Sequence, residues 1–295
     1  FGAAPYPEMV SRMLINQVVQ TDVYRGSTFL QSNRINFNYW GNSQWGYASS
    51  SSFILPQTTE YKLGNISNNY TVGDRFTAYD GNGNPAVFGK DNDVLTSILW
   101  DPNRNFAVAK VSNATLADIA FSSFEGSYTG GWNYAGTIST AIAPSVAATG
   151  FKYYNLTAAF PISRSVTIGR KYILTYWSNQ GAPYSIAGGS VTTTIGTTVS
   201  GWTLYSHVIT TTGSSISISG TGNIDELRLY PIEAQMVSYT IDSFNGITSS
   251  TSETNTTTYF EYDAFGRLVL IRDRNRNIVK RNCYNYAGQS TGCSL

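Results

Sequence analysis

Hydrophobic and polar residues alternate with a period of two through most of this chain. Segments such as residues 34–40, 171–177 and 202–209 put every second side chain on one face, and Gly, Asn and Ser clusters separate them. Residues 5–19 differ, because Met9, Met13 and Leu14 follow a helical spacing. The pattern predicts an all-β protein with one short N-terminal helix.

A change in residue usage divides the chain. Residues 119–232 are rich in Ser, Thr, Gly and Tyr, are almost uncharged, and contain many short alternating segments with regular turn signals. Many short strands in about 110 residues are typical of a β-sandwich. We therefore predict a hairpin region at residues 1–118, a sandwich at 119–232, and further hairpins with a Cys-containing tail at 233–295.

The last of these regions contains related units. Residues 239–242 match residues 260–263 with a period of 21, which is typical of repeat proteins. In the second unit, Tyr262 ends a strand and Asp263 is placed to accept backbone N–H bonds in a turn. Gly266 supplies a positive φ, and Arg267 begins the return strand.

This unit resembles the YD (Rhs-type) repeats of bacterial cell-surface and teneurin-type proteins, in which β-hairpins stack into a large sheet or shell. Residues 79–85 and 99–101 resemble the turn of the same family. The resemblance implies a hairpin architecture on both sides of the sandwich. At the family's second turn, where Gly is usual, we expect Asn277 to take the left-handed backbone.

The middle region resembles the jelly-roll, galactose-binding-like domains of carbohydrate-binding modules. That resemblance implies that its first and last strands lie together and that a structural calcium ion is held there by Glu125 and Asp225, with backbone carbonyls. Alternatively, these two carboxylates cap turns. Glycan binding would need exposed rings, for which Trp132, Tyr134 and Tyr184 are candidates, although many such aromatic residues belong to a core.

Charge and hydropathy exclude two classes of function. The chain has 19 basic and 18 acidic residues, and only 13% of its residues are charged, so no electrostatic footprint for nucleic acid is visible. No run of 18 apolar residues predicts a transmembrane helix. The basic stretch at residues 272–281 fits a solvated hairpin edge, where charges discourage edge pairing.

The two cysteines, Cys283 and Cys293, lie ten residues apart near the end of the sequence. In an oxidising compartment they would close a small loop, and in the cytosol they would be spare thiols. They have no neighbouring His with which to form a zinc site.

Signals for catalysis are weak. His207 is the one histidine in the sequence, and no nucleophile elbow accompanies it, so a packing or surface role in a strand fits it better. The carboxyl pair of Asp225 and Glu226 leaves glycoside hydrolysis open. Residues 80–84 and 273–277 lack the ligands of an EF-hand loop and are better interpreted as hairpin turns.

These inferences predict a non-catalytic structural or adhesive protein, secreted or on a bacterial cell surface. Its expected partners are neighbouring repeats or another surface or outer-membrane protein, bound through strand edges, together with a glycan bound by the sandwich. A dedicated carbohydrate-binding module is the alternative. A glycoside-active fragment, or a piece of an Rhs shell that encloses a toxin, is a further one.

Overall fold

The computed structural model describes residues 2–41, 53–64, 69–103, 105–126, 128–140 and 146–284. The described chain is all-β, with antiparallel pairing and one short α-helix, as predicted. It divides into two compact units, one ending at Ser97 and the other beginning at Ile98.

The first unit is an antiparallel meander preceded by the helix α1 (Tyr6–Ser11). Its described strands follow one another in the sheet in chain order: β1 (Gln20–Arg25), β2 (Thr28–Trp40), β3 (Phe53–Leu63), β4 (Thr71–Tyr79), β5 (Pro85–Lys90) and β6 (Leu95–Trp100), which contains the boundary between the units. The helix is shorter than its apolar spacing suggests, because Met13 takes a φ of 59°. Met9 packs with Phe37 and Ile54.

The second unit contains a sandwich-like pair of sheets that follows β7 (Ala107–Ser112) and a 3-10 turn at Leu116–Asp118. Its strands are β8 (Ala120–Ser122), β9 (Ile138–Thr140), β10 (Lys152–Leu156), β11 (Ile162–Ser165), β12 (Lys171–Ser178), β13 (Ser185–Ala187), β14 (Gly189–Val199), β15 (Trp202–Thr211), β16 (Ser215–Ser219) and β17 (Gly222–Pro231). One sheet has the order β14-β15-β12-β17-β10-β9, and the other has the order β11-β16-β13.

The first strand of the sandwich lies beside the last. β8 pairs with β17 through residues such as Ser122 and Leu227, so the residues that follow β8 are brought to the residues that begin β17. The jelly-roll resemblance led us to expect this pairing, and the charge of Glu125 acts on the nearby Asp225 carboxyl.

Tyrosine fills much of the sandwich core. Tyr154, Tyr172, Tyr176 and Tyr205 are fully buried between the sheets. Their hydroxyls are hydrogen-bonded; that of Tyr172, for example, donates to Asp118 at 2.7 Å. A buried phenol must bond its hydroxyl, so this core is more polar than an aliphatic one.

The same unit contains a sheet of hairpins. Its strand order is β7, β18 (Gln235–Asp242), β19 (Gly246–Thr251), β20 (Thr257–Tyr262), β21 (Leu268–Arg272) and β22 (Ile278–Arg281). β7 and β18 pair directly, with Ser112 opposite Gln235, although the sandwich separates them in the sequence. The sandwich is thus an insertion between two neighbouring strands of this sheet.

Candidate functional site: locked turns, a cleft and a carboxyl cluster

An aspartate side chain locks several hairpin turns in one way. In the turn at residues 263–267, Oδ1 of Asp263 accepts the N–H groups of Phe265 and Arg267 at 2.9 and 3.0 Å. The N–H of Asp263 donates to the carbonyl of Arg267 at 3.0 Å, which closes the turn. The turns at residues 80–84 and 273–277 make the same three bonds. The recurrence defines a repeated structural unit.

The fourth residue of each such turn has left-handed backbone. It is Gly83 (φ 85°), Gly266 (φ 72°) and Arg276 (φ 68°), and Asn255 (φ 58°) in a related turn that begins at Ser252. The expectation that Asn277 takes this conformation is wrong. Asn277 is the fifth residue of its turn. Its N–H donates to Oδ1 of Asp273 at 2.8 Å, and the return strand begins at the next residue, Ile278.

Two further turns lie at the same end of the hairpin sheet as the turn at residues 263–267. In the turn at residues 101–106, Asp101 accepts the N–H of Phe106 at 2.7 Å, and in the turn at residues 242–246, Asp242 accepts that of Phe244 at 3.0 Å. Antiparallel strands reverse direction at every turn, so turns separated by two strands share one end of the sheet.

A cleft of about 420 Å³ opens beside the turns at residues 101–106 and 242–246. One wall is formed by the turns at Asp101 and Asp242, and the other by the segment that follows β8 and by the start of β10. Its lining includes the aromatic residues Phe106, Phe121, Phe124, Tyr128 and Phe151, and the charged residues Asp101, Glu125, Lys152 and Asp242. An aromatic lining with a few polar groups is typical of a small-molecule site.

Glu125 is the most perturbed acid in this cleft. Its Oε1 accepts the N–H groups of Phe151 and Lys152 at 2.7 and 2.8 Å. Burial raises the pKa of Glu125 to about 7, and the charge of Glu226 adds to the rise. The two backbone bonds oppose the shift, because they favour the carboxylate.

Glu125, which is half-buried in the cleft, forms a cluster with two buried carboxyl groups, those of Asp225 and Glu226. Asp225 has no exposed surface, and Glu226 is 2% exposed. Oδ2 of Asp225 accepts the N–H of Thr149 at 2.9 Å, and Oε2 of Glu226 accepts the hydroxyl of Thr149 at 3.0 Å. Burial raises the pKa of Asp225 well above its usual range, and the neighbouring charges of Glu226 and Glu125 act in the same direction.

The loop at residues 146–151 closes over this cluster. A Cβ placed on Gly150, whose φ is 56°, would lie 2.2 Å from Oε1 of Glu125, so only glycine permits the approach. The carbonyl of Ala148, in the same loop, accepts the hydroxyl of Tyr259 at 3.0 Å and Nη2 of Arg276 at 3.1 Å. The cluster and the hairpin sheet are therefore joined through one loop.

The aromatic residues predicted to bind a glycan do not present exposed rings. Trp132 is 2% exposed, Tyr184 is 7% exposed, and Tyr134 packs against the same sandwich core. The hydroxyl of Tyr184 donates to the carbonyl of Asn223 at 2.9 Å. The expectation of solvent-facing rings is wrong, because these residues fill the space between the sheets.

His207 has a packing role within β15. Its Nε2 lies 3.2 Å from the hydroxyl of Tyr176, and its Nδ1 lies 2.9 Å from that of Thr193. The Tyr176 hydroxyl accepts the N–H of Tyr184 at 2.8 Å. Burial lowers the pKa of His207 to about 4, so the ring is neutral near pH 7.

Calcium coordination by Glu125 and Asp225 stays a prediction. Within the described ranges, no group of three or more His, Cys, Asp or Glu side chains is arranged to hold a metal ion. Glu125 and Asp225 direct oxygens at peptide N–H groups, although a site completed by backbone carbonyls suits calcium.

Cys283 is disulfide-bonded, and Cys293 lies outside the described residues. Among the described residues, no helix is long and apolar enough to cross a membrane.

Comparison with known proteins gives no family assignment: the sequence matches no protein-family model and no curated protein. The site is therefore interpreted from its own geometry. Sequence reasoning had singled out Glu125, Asp225 and Glu226, but it did not find the loop of Thr149 and Gly150 that closes over them. A glycine in an Ala- and Thr-rich loop carries no signal until its close neighbour is known.

Proposed function

We propose that this chain is a non-catalytic structural or adhesive protein of the YD/Rhs-repeat type, secreted or exposed on a bacterial cell surface, whose inserted sandwich presents a glycan-binding cleft. The observation that carries the proposal is the recurring turn in which Asp80, Asp263 or Asp273 accepts two backbone N–H groups. Each hairpin then holds its own turn by local bonds, which suits a scaffold extended by adding hairpins.

The exposed edge of the hairpin sheet supports a partner bound by strand pairing. All four residues of β22 are exposed: Ile278 and Val279 are aliphatic, and Lys280 and Arg281 are charged. An edge strand of this kind offers backbone donors and acceptors to a neighbouring repeat or to another surface protein.

The cleft favours a dedicated carbohydrate-binding module as the second candidate function. Phe106 and Tyr128 are its most exposed aromatic residues, and Lys152 with Glu125 supplies charged and polar groups. A pyranose packs its C–H face on a ring and uses its hydroxyls for hydrogen bonds. The rings of this cleft replace Trp132, Tyr134 and Tyr184 as the proposed sugar contacts.

A glycan array probed with the full chain tests the binding role. We expect binding that is lost in Tyr128→Ala and retained in Phe160→Ala, a matched control in which an exposed sandwich ring outside the cleft is removed. The array is run with calcium and with a chelator, and both variants are checked for an unchanged unfolding midpoint. No binding by the wild-type chain contradicts the cleft, and release of reducing sugar contradicts a non-catalytic role.

Protease treatment of intact cells of the source organism tests the location. A cell-surface protein is degraded by an added protease while a cytosolic marker stays intact. Protection in intact cells, with degradation after lysis, overturns the proposed location without affecting the glycan result.

A further inference from the structure

Phe244 and Phe265 are the most exposed aromatic rings among the described residues, at 74% and 81%. Each is the third residue of a turn that an aspartate begins. The N–H of Phe244 donates to Asp242 at 3.0 Å, and that of Phe265 donates to Asp263 at 2.9 Å. Exposed apolar side chains that lie next to one another, unlike single ones, mark interaction sites.

The two rings lie on neighbouring turns at one end of the hairpin sheet. The strands β19 and β20 pair between them, so the turns are two strand spacings, or about 10 Å, apart. A Cβ placed on Gly266 would lie 3.9 Å from Cε1 of Phe244, so the Phe244 ring reaches the next turn. Ser243, which precedes Phe244, lines the cleft, so the Phe244 ring lies next to the cleft and the Phe265 ring lies one turn further along the sheet.

We propose that Phe244 and Phe265 form an aromatic platform on which an extended neutral polysaccharide lies as it leaves the cleft. The inference rests on the proposed glycan-binding function and assigns it a chain-length preference. In this arrangement a chain of several linked sugars passes from the cleft over the turn at residues 242–246 to the turn at residues 263–267, and so meets both phenylalanines.

The surroundings of the rings favour a neutral glycan over a protein partner. Polar groups adjoin the rings: Nδ2 of Asn245 donates to Asp242 at 3.0 Å, and Nη2 of Arg267 lies 2.7 Å from Asp263. The same guanidinium lies 5.3 Å from the centre of the Phe265 ring. The ion pair cancels its own charge and so does not select a charged ligand. A protein-binding patch needs a contiguous apolar centre, whereas a sugar presents apolar faces interrupted by hydroxyls.

Affinity electrophoresis of the full chain tests the platform, with hydroxyethyl cellulose, galactomannan, laminarin and dextran as probes. The disaccharide unit of any polysaccharide that binds is measured by calorimetry. We expect the double variant Phe244→Ala/Phe265→Ala to bind that polysaccharide about tenfold more weakly, since each lost stacking contributes about 0.7 kcal/mol. Its affinity for the disaccharide should not change, because the disaccharide occupies only the cleft.

Three comparisons make the result specific. Phe160→Ala should leave both affinities unchanged, and Phe244→Trp/Phe265→Trp should keep or strengthen polysaccharide binding, which a merely structural role would not do. Equal affinity of the wild type and the double alanine variant for polysaccharide overturns the platform and leaves the cleft intact. Failure of the wild type to bind any probe overturns both and turns the search to a protein that docks on these rings.

Discussion

Arg228, in β17 of the sandwich, donates a 2.8 Å hydrogen bond to Oδ1 of Asn255, the left-handed residue of a hairpin turn. The same guanidinium donates to the carbonyls of Ser252 and Met236. Arg228 is fully buried, and its guanidinium donates hydrogen bonds to oxygen atoms of the hairpin sheet instead of to water. A single side chain of the insertion thus satisfies several groups of the sheet into which it is inserted.

Replacing Arg228 should destabilise the protein strongly. Arg228→Met removes the donor and leaves buried carbonyl oxygens without a partner, at an expected cost of about 3 kcal/mol in the free energy of unfolding. Urea denaturation measures this cost. Arg274→Met, at an exposed position of the turn at residues 273–277, is the control and should cost less than about 0.5 kcal/mol. Equal effects of the two substitutions would contradict a structural role for the buried guanidinium.

The turn lock makes a second prediction at Gly266. Gly266→Ala places a Cβ on a residue whose φ is 72°, which should lower the free energy of unfolding by about 1 kcal/mol. Gly181→Ala is the matched control, because Gly181 is exposed, has open space around it and is not in the left-handed region. Thermal unfolding of both variants measures the difference. A stabilised Gly266→Ala protein would show that the turn is not held as described.

His207 should make the free energy of unfolding decrease as the pH falls. Its pKa falls from an ordinary 6.5 to about 4 in the folded state, so the unfolded chain binds the proton more readily. The contribution of His207 is therefore complete above pH 6.5 and is lost as the pH falls toward 4, by up to about 3 kcal/mol. The stability advantage of the wild type over His207→Gln in urea denaturation should therefore shrink as the pH falls through that range. A difference that stays constant from pH 7 to pH 4 contradicts the buried neutral ring.

Glu125 should produce the opposite slope. Its pKa rises from 4.5 to about 7 on folding, so the folded state binds the proton more readily. The contribution is complete below pH 4.5 and is lost as the pH rises through 7, by up to about 3 kcal/mol. Glu125→Gln keeps an oxygen for the Phe151 and Lys152 N–H groups and should flatten the profile. The measurement is made in a chelator so that no cation replaces the proton.

Calcium should reverse that loss if it binds as predicted. Buried carboxylates are stable when they are paired or coordinate a metal, so calcium at pH 8 should raise the midpoint of thermal unfolding. At a concentration 100 times the dissociation constant, the gain is about 2.7 kcal/mol. The double variant Glu125→Gln/Asp225→Asn should show no response. An equal response of the variant, or none from the wild type, removes calcium from this cluster.

The fold class was predictable because alternation and turn residues are local. The period of two, the Asp-x-x-Gly turns and the uncharged middle region all describe neighbours in sequence. They predicted the all-β chain and the acceptor role of Asp263, while the helical spacing of apolar residues in residues 5–19 predicted the short helix. Arg276 could not be found this way, since a non-glycine residue at positive φ depends on a turn register that only the structure fixes.

Burial explains why the expected exposure of these aromatic rings was wrong. Trp132 and Tyr184 stand next to Gly or Pro residues, which favour loops, yet a loop residue beside two packed sheets can still point inward. Phe244 and Phe265 lie in equally loop-like sequence and point outward. The sequence shows that each of these residues lies in or near a turn. It does not show whether the side chain points toward the packed sheets or toward solvent, because that depends on how the turn is oriented against the sheets.

The pairing of Ser112 with Gln235 has a consequence for how such a chain could change over time. The sandwich leaves and re-enters the hairpin sheet at two positions that lie opposite each other on adjacent strands, about 5 Å apart. A short turn could close the same gap. The inserted region is therefore exchangeable in principle: recombination at this point could replace one binding module with another, while the hairpins on either side keep their register.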